Sequence, residues 1–285
     1  MKKTLLIIGG NSYMGSLLIR KLLKINKFTI YSTFYKNTKN ISNKIEHLYL
    51  DINKFSKKDL INFPKRIDNL IVLSWCKLND YNSKEHLEFS KNLILFTKLL
   101  LNFSNISSIN VLGSCLEYGI VNGKINESSR CHPVTNYGIS KLKYLNELKK
   151  LKSKYKFKLN WMRIFYIYGD YRDRGIWSQF LKAKNESRIF KMSEGNQKFD
   201  FIHINKLINY INIIVTSNKS LGIINICSGR PQKLIHLVKA WSKKYNVKLQ
   251  VGFYPYTKYE SMSYWGSRDK LDRILCINGK SNQKV

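Results

Sequence analysis

A phenol and an ammonium stand four residues apart at Tyr137 and Lys141, in the run Tyr137-Gly138-Ile139-Ser140-Lys141. On a helix that spacing puts both side chains on one face, as neighbours along a single ridge. A free tyrosine has a pKa of about 10 and moves protons poorly at neutral pH, but a nearby cation favours the phenolate and lowers that value. The pair could then exchange a proton with a carbonyl or an alcohol. The competing reading is a surface Tyr/Lys pair, because this spacing recurs by chance. The elements around the pair separate the two readings.

Pro133, Thr135 and Asn136 mark a helix start, and Ile139, Leu142, Leu145, Leu148 and Leu151 form an apolar stripe running out to Tyr155. Tyr137 and Lys141 therefore belong to the first turns of a helix. A strand over Ile109 to Leu112 precedes it and leads into Gly113-Ser114-Cys115-Leu116-Glu117-Tyr118-Gly119. A hydroxyl at a strand's carboxyl end, here Ser114, can reach into a crevice. Near the start, Thr4 to Ile8 is a continuous apolar run, as expected of a strand buried on both faces. It runs into Gly9-Gly10-Asn11-Ser12-Tyr13-Met14-Gly15 and a helix carrying Leu17, Leu18, Leu22 and Leu23. Strand, glycine turn and helix is the setting in which a dinucleotide pyrophosphate rests on a helix N-terminus. Ser12 stands where a middle glycine is usual, and an ordinary strand-to-helix turn is the bland alternative.

The second strand, Phe28 to Tyr35, decides the cofactor expectation. Sites for NAD usually place an acid near its end to bind the ribose 2′-hydroxyl, whereas a 2′-phosphate needs cationic or hydroxyl groups. The chain offers Ser32, Thr33, Tyr35 and Lys36, and no acid before Glu46. NADP(H) is favoured and NAD(H) stays open. A third strand, Ile45 to Leu50, ends at Asp51-Ile52, placed to contact the adenine; a fourth, Leu70 to Leu73, ends in Ser74-Trp75-Cys76. A helix follows over Ser83 to Phe103, and its Asn92 is read equally as a solvated polar group or a functional one. A sixth strand runs from Asn160 to Tyr168 and closes at Gly169.

Beyond it the strand–helix alternation breaks down. Helices are expected near Trp177 to Ala183, Lys206 to Val215 and Leu234 to Tyr245, strands at Phe201 to Ile204, Ile223 to Cys227 and Val247 to Gly252, and a frayed end from Asn278 to Val285. The fold expected is α/β: a Rossmann-type doubly wound parallel sheet over residues 1–168 with a smaller α/β C-terminal substrate lobe over 169–285, some segments of which could return to the sheet.

With Lys+Arg 50 against Asp+Glu 18, the formal charge of the 285 residues is +32. Such a balance suits nucleic acid or another anionic partner. The lysines, however, are spread along the whole chain. Asn and Ile are abundant too, as AT-rich coding would produce, and no basic patch interleaved with aromatics appears. Nucleic acid is therefore not the expected partner, although a basic surface attracts anionic nucleotides. Five scattered cysteines without C-x-x-C spacing speak against a disulfide framework and a zinc site. No apolar run reaches the roughly 18 residues of a membrane span, and Leu5 to Ile8 is too short for a signal peptide. A reducing cytoplasm fits.

Gly9 to Gly15, Ser114, Tyr137 and Lys141, in that order, resemble the extended short-chain dehydrogenase/reductase family acting on nucleotide sugars. Further segments carry the resemblance across nearly the whole chain: Gly113 to Gly119, Met162 to Gly169, Asp200-Phe201-Ile202-His203-Ile204-Asn205, and Gly222 to Gly229. The resemblance implies that Ser114 hydrogen-bonds the substrate oxygen and Tyr137 exchanges the proton. Lys141 would hold the nicotinamide ribose and lower the Tyr137 pKa, and Asn92 would take a structural or proton-relay position. The implied partner is a nucleotide-sugar substrate, and a homodimer is compatible with it.

Departures from the family pattern discriminate among its activities. The 4,6-dehydratases carry an Asp and a Glu directly after the serine or threonine; here Cys115 and Leu116 fill those places and Glu117 comes one residue late. The 4-epimerases usually retain NAD with an acid after the second strand, which is missing here. Keto reduction by NADPH is left as the leading expectation, with an NAD-dependent 4-epimerase and a non-catalytic nucleotide-binding or RNA-associated relative as rivals. On the substrate side Tyr166 replaces an asparagine and Phe199 an arginine, so the diphosphate grip should differ, with Lys198, Arg230 or Arg268 compensating. Tyr254-Pro255-Tyr256 through Glu260 to Trp265-Gly266 is aromatic enough to cover a sugar. It resembles a segment of reductases of nucleotide-linked 4-keto-6-deoxyhexoses; plain lobe packing is the other reading.

Overall fold

Seven short strands make the sheet on which the chain is built: β1 (Lys3–Ile8), β2 (Phe28–Phe34), β3 (Glu46–Tyr49), β4 (Asn69–Val72), β5 (Ser108–Ser114), β6 (Lys158–Ile164) and β7 (Gly222–Ile226). They were traced in a computed structural model, which describes residues 2–36, 43–169, 175–186, 189–256 and 261–277. All neighbouring pairs are parallel, in the order β3-β2-β1-β4-β5-β6-β7. Strands such as β5, buried at every position, read as continuous apolar runs because helices cover both faces. The order reverses direction between β1 and β4, and in such sheets that switch opens a crevice at the carboxyl ends of the strands.

On one face, α1 (Tyr13–Ile25), α5 (Ile204–Thr216) and α7 (Asp269–Ile277) bury Leu18, Leu22, Leu207, Ile211 and Leu271. On the other, α2 (Glu85–Phe103) and α3 (Asn136–Tyr155) bury Leu93, Phe96, Tyr144, Leu145 and Leu148. A third cluster fills the small lobe, where α4 (Gly175–Glu186) and α6 (Leu234–Tyr245) bring Trp177, Phe180 and Trp241 together with Phe199 and Tyr264. Its sheet orders Tyr166–Tyr168, Lys198–His203, Ser263–Gly266 and Gly123–Ile125 side by side, with Pro231–Lys233 antiparallel on Lys198–Asp200.

Two segments cross the boundary expected from sequence. The strand Gly222–Ile226 pairs with β6 as the seventh strand of the large sheet, and Gly123–Ile125, from before α3, joins the small-lobe sheet. The single strand expected over Asn160 to Tyr168 breaks at Phe165: Lys158–Ile164 stays in the large sheet, whereas Tyr166–Tyr168 pairs with Phe201–His203. The frayed end expected from Asn278 and the aromatic stretch through Glu260 fall outside the described residues in whole or in part.

Candidate active site

The glycine turn after β1 is tight enough to specify its residues. Gly9 has φ +83, and a Cβ there would stand 2.9 Å from Ser74 Cβ. A Cβ on Gly10 would collide with Ser32 Oγ, and one on Gly15 with the Gly10 carbonyl oxygen. Backbone from β1, β2 and β4 thus converges at the start of α1, where glycine alone avoids overlap. Ser12, the departure from the usual glycine, is the N-cap of α1: its hydroxyl accepts from Gly15 N at 3.1 Å. The substitution exchanges a glycine for a cap without lengthening the turn, and Asn11, Tyr13 and Met14 complete it.

Other residues expected around a dinucleotide have identifiable partners. Thr33 is buried, and its Oγ1 accepts from Gly9 N at 2.9 Å, so it holds the glycine turn. Lys36 is exposed, with Nζ 5.2 Å from the Tyr35 ring centroid. Asp51 accepts from Asn53 N at 2.9 Å beside the buried Ile52, and Asn92 on α2 donates to Asn53 Oδ1 at 3.3 Å. Ser74 ends β4 against Gly9. A helix N-terminus, a glycine cradle and the switch point coincide, and this arrangement fits a nicotinamide dinucleotide.

Ser114, Tyr137 and Lys141 are brought to one place by β5 and α3. Thr135 caps α3, its Oγ1 accepting from Gly138 N at 3.2 Å. Gly138 lets the helix start close against the turn after Ser114, since a Cβ there would stand 2.6 Å from the Leu116 carbonyl oxygen. The Tyr137 hydroxyl lies near enough to the Ser114 side chain for that hydroxyl to favour its phenolate. One turn on, Lys141 is buried and donates from Nζ to the Leu112 carbonyl at 2.6 Å, in the strand that ends at Ser114. The i,i+4 spacing read from sequence does put both groups against one strand end.

Burial dominates the electrostatics of the pair. It pushes the Tyr137 phenol well above its ordinary value, with Tyr81 and Glu117 adding to the rise and the Ser114 side chain opposing it. Burial pulls the Lys141 ammonium down to about 7, with Glu117 and Cys76 holding it up. Both groups sit in a wall poor in water, where desolvation disfavours the charged form of each. The phenol is therefore protonated at neutral pH, which is the state a proton donor needs.

The wall itself is made by residues the motif gave no sign of. The Tyr81 ring stacks on Tyr137 with centroids 5.2 Å apart, and His86 and Trp75 meet Tyr137 edge-on at 5.3 and 6.0 Å. The Tyr137 N–H donates to the Tyr81 carbonyl at 2.9 Å. Aromatic side chains after a strand's carboxyl end were the available signal, in Trp75 and Tyr81. Below Ser114 lies Glu117, fully buried, accepting from Ser114 N at 2.7 Å, Trp161 Nε1 at 2.9 Å and Arg163 Nε at 2.8 Å. That carboxylate is turned into the protein and engaged by three donors.

On the small-lobe side Tyr166 stacks on Phe199 with centroids 4.5 Å apart and planes at 18°. The two departures from the family pattern are therefore one packing unit. The Tyr264 hydroxyl lies 3.1 Å from the Tyr166 hydroxyl and 3.3 Å from Cys115 Sγ, joining this unit to the residue after Ser114. Lys198 is exposed, with Nζ 5.4 Å from the Trp265 ring centroid. Arg230 is exposed on a turn that the buried Asp200 holds by accepting from Ser228 N and Gly229 N at 2.6 and 2.8 Å. The Tyr256 hydroxyl accepts from Asn196 N at 3.2 Å. Arg268 is committed elsewhere: it pairs with Asp272 and donates to the Tyr210 hydroxyl and the Cys227 carbonyl, both at 3.2 Å. It links α7 to α5, and the guanidinium expected to meet the diphosphate is held in these contacts. Among the described residues no cluster of His, Cys, Asp and Glu could hold a metal ion, and no helix is long and apolar enough to cross a membrane.

Comparison with known proteins agrees with this geometry. Residues 5–227 match the NAD dependent epimerase/dehydratase family. A dTDP-6-deoxy-L-talose 4-dehydrogenase (NAD(+)) of Aggregatibacter actinomycetemcomitans is 28% identical over 276 residues, covering 93% of this chain and 99% of that one. An ADP-L-glycero-D-manno-heptose-6-epimerase of Brachyspira hyodysenteriae is 25% identical over 268 residues, covering 85% and 81%. The fold matches that of the UDP-glucuronic acid 4-epimerase from Bacillus cereus, solved with UDP-glucuronic acid and NAD. That match has TM-score 0.84 and 17% identity, and covers 99% of this chain and 95% of that one.

Proposed function

This chain belongs to the NAD-dependent epimerase/dehydratase family of nucleotide-sugar enzymes, and we propose that it reduces the 4-keto group of a CDP- or dTDP-linked 6-deoxyhexose for surface-polysaccharide synthesis. The observation that carries this reading is the state of Tyr137. Its phenol, kept protonated by burial, stands at the strand end that carries Ser114, and the Glu117 carboxylate nearby is engaged by Ser114 N, Trp161 and Arg163. A reduction needs one proton donor at the oxygen. An elimination needs a separate acid and base, and here Cys115 and Leu116 supply neither while Glu117 is engaged below. The named 4-dehydrogenase relative acts at the corresponding position of a dTDP-linked 6-deoxy sugar, which supports the same bond with the reaction run toward the alcohol.

The glycine turn would hold a reduced nicotinamide dinucleotide, which would supply a hydride when bound. Ser114 holds the carbonyl oxygen, and Tyr137 delivers its proton there as negative charge develops. Lys141 places a cation beside the phenolate so formed, lowering the cost of that charge. Gly9, Gly10, Ser12 and Gly15 fix the start of α1 toward the pyrophosphate, with Thr33 holding the turn. Lys36, and the lack of an acid between Ser32 and Glu46, favour NADPH over NADH. Tyr166, Lys198, Arg230 and Tyr256 are the substrate-side groups, the ring of Tyr166 offering an apolar surface and the cations meeting the diphosphate.

The test is to mix the protein with NADPH or NADH and a panel of nucleotide-linked 4-keto-6-deoxy sugars and follow the reduced-nicotinamide absorbance. Stoichiometric loss, faster with NADPH, is expected. Absence of turnover with every member, from a folded protein, sinks the proposal. The epimerase relatives favour a second reading, NAD-dependent 4-epimerisation, which gives two interconverting sugars without net nicotinamide consumption.

A further inference from the structure

Trp75, the residue after Ser74 at the carboxyl end of β4, is fixed from both sides. Its Nε1 donates to His86 Nδ1 at 3.2 Å, and His86 Nε2 donates to the Asp80 carbonyl at 2.8 Å. Those two bonds select the neutral tautomer with its proton on Nε2. His86 is fully buried, and burial holds it below its ordinary pKa, so it remains an acceptor toward the indole. Phe89 and Tyr144 pack the ring with centroids 5.4 and 6.5 Å away. One face of this immobilised indole is covered by the Lys141 ammonium, 3.7 Å from the ring centroid.

A cation over an indole face is attracted by the ring quadrupole, most strongly where water is excluded. That attraction acts on the charged form of lysine alone, and so opposes the burial that favours the neutral amine. The other groups facing Lys141 are Glu117, from the turn after β5, Cys76, from the loop after β4, and the Tyr137 ring, 5.6 Å away on α3. Glu117 is already shared among three donors, so the near partners that favour the cation are the Leu112 carbonyl, which accepts from Nζ at 2.6 Å, and the indole face.

We propose that Trp75 is a positioning residue: its indole face, locked by His86, keeps the Lys141 ammonium charged and in place beside Tyr137. Its meaning for catalysis rests on the proposed reduction, but the contact itself is testable without substrate or dinucleotide. Protein labelled with 13C at lysine Cε is titrated by NMR, and the Lys141 signal is assigned by its loss in Lys141→Arg. In Trp75→Leu the Lys141 midpoint should fall by about one pH unit, a roughly tenfold loss of the charged form at a fixed pH above the midpoint. In Trp75→Phe, which restores a weaker aromatic face, it should fall by less.

If Trp75→Leu does not fold, Trp75→Phe against wild type decides. A midpoint that stays or rises in the folded variants overturns the proposal. In active enzyme the basic limb of the kcat/KM profile should move down with the midpoint. Absent turnover in wild type, with the midpoint still falling in the variants, removes the reductase reading and leaves the contact standing. A fixed midpoint in an active enzyme does the reverse.

Discussion

On the large-sheet side of the site, Tyr137 and Lys141 are both moved from their ordinary ionisation by burial, whereas on the small-lobe side Tyr166, Phe199 and Tyr264 meet as packed rings with hydroxyls bonded to one another. Both regions are aromatic, and both sit beside the turn that starts at Ser114. In the first, rings surround groups whose charge is costly; in the second, they pack on one another. The contrast separates a site that keeps electrostatic stress for a reaction from one that spends its surface on shape.

The largest expected effect tests whether the stress is useful. Tyr137→Phe retains the ring that Tyr81, His86 and Trp75 pack against and removes only the hydroxyl. Loss of a general acid lowers kcat by about 10²- to 10⁴-fold, while dinucleotide affinity should change by less than about threefold. Steady-state rates and binding titrations check the two parts. A variant within tenfold of wild-type kcat would remove Tyr137 from the chemistry.

A middle-sized effect concerns the cost of holding Lys141 buried. Its value falls from an ordinary 10.5 to about 7 on folding. The unfolded chain therefore binds more protons than the folded one between those values, and the penalty that Lys141 imposes is full below about pH 7 and disappears as pH rises toward 10.5. Lys141→Met, which keeps the stem and discards the charge, should be more stable than wild type at pH 6 by about 1–3 kcal/mol, after the lost Leu112 and Trp75 contacts are set against the relief. Denaturant melts of the dinucleotide-free proteins at pH 6 and 9.5 should show the gap closing. A wild type that is the more stable at pH 6 would mean that the wall favours the charge, and the contrast between the two regions would dissolve.

The same contrast marks how far the sequence could be read. Tyr137, Lys141 and Ser114 were legible because helical spacing and a strand end are local facts, and the glycine turn because its pattern spans seven residues, although the neighbours that enforce Gly9 and Gly10, Ser74 and Ser32, come from other strands. Trp75, Tyr81 and His86 were not, since only the pairing of β4 beside β5 and the packing of α2 on α3 carry them to Tyr137. Arg268 looked like a free cation in sequence. Its partners are the i+4 residue Asp272, which was visible, and Tyr210 and Cys227, which needed the fold. The strand broken at Phe165 was hidden for a related reason. Both halves are apolar and extended, and the change of sheet comes only after Phe165, whose N still donates to Ile226 O of β7 at 3.2 Å.

The smallest expected effect sharpens the small-lobe half of the contrast. The Tyr166 hydroxyl has Tyr264 as its partner at 3.1 Å, and Tyr264 has Cys115 Sγ as a second, at 3.3 Å. Tyr166→Phe removes one hydroxyl and leaves the other with a partner, so the buried desolvation penalty is not incurred in full. A loss of about 0.5–1.5 kcal/mol of stability is expected. The ring stack on Phe199 survives, and kcat and KM should stay within about threefold if shape is what this region supplies. Tyr166→Asn, which restores the residue usual at this place, removes the stack as well and should cost more, about 2–4 kcal/mol, because the ring's volume is left empty against Phe199. If Tyr166→Phe instead raises KM tenfold at constant kcat, the hydroxyl is a substrate contact. The small lobe would then be gripping its ligand by hydrogen bonds after all, as the large-sheet side does with Ser114.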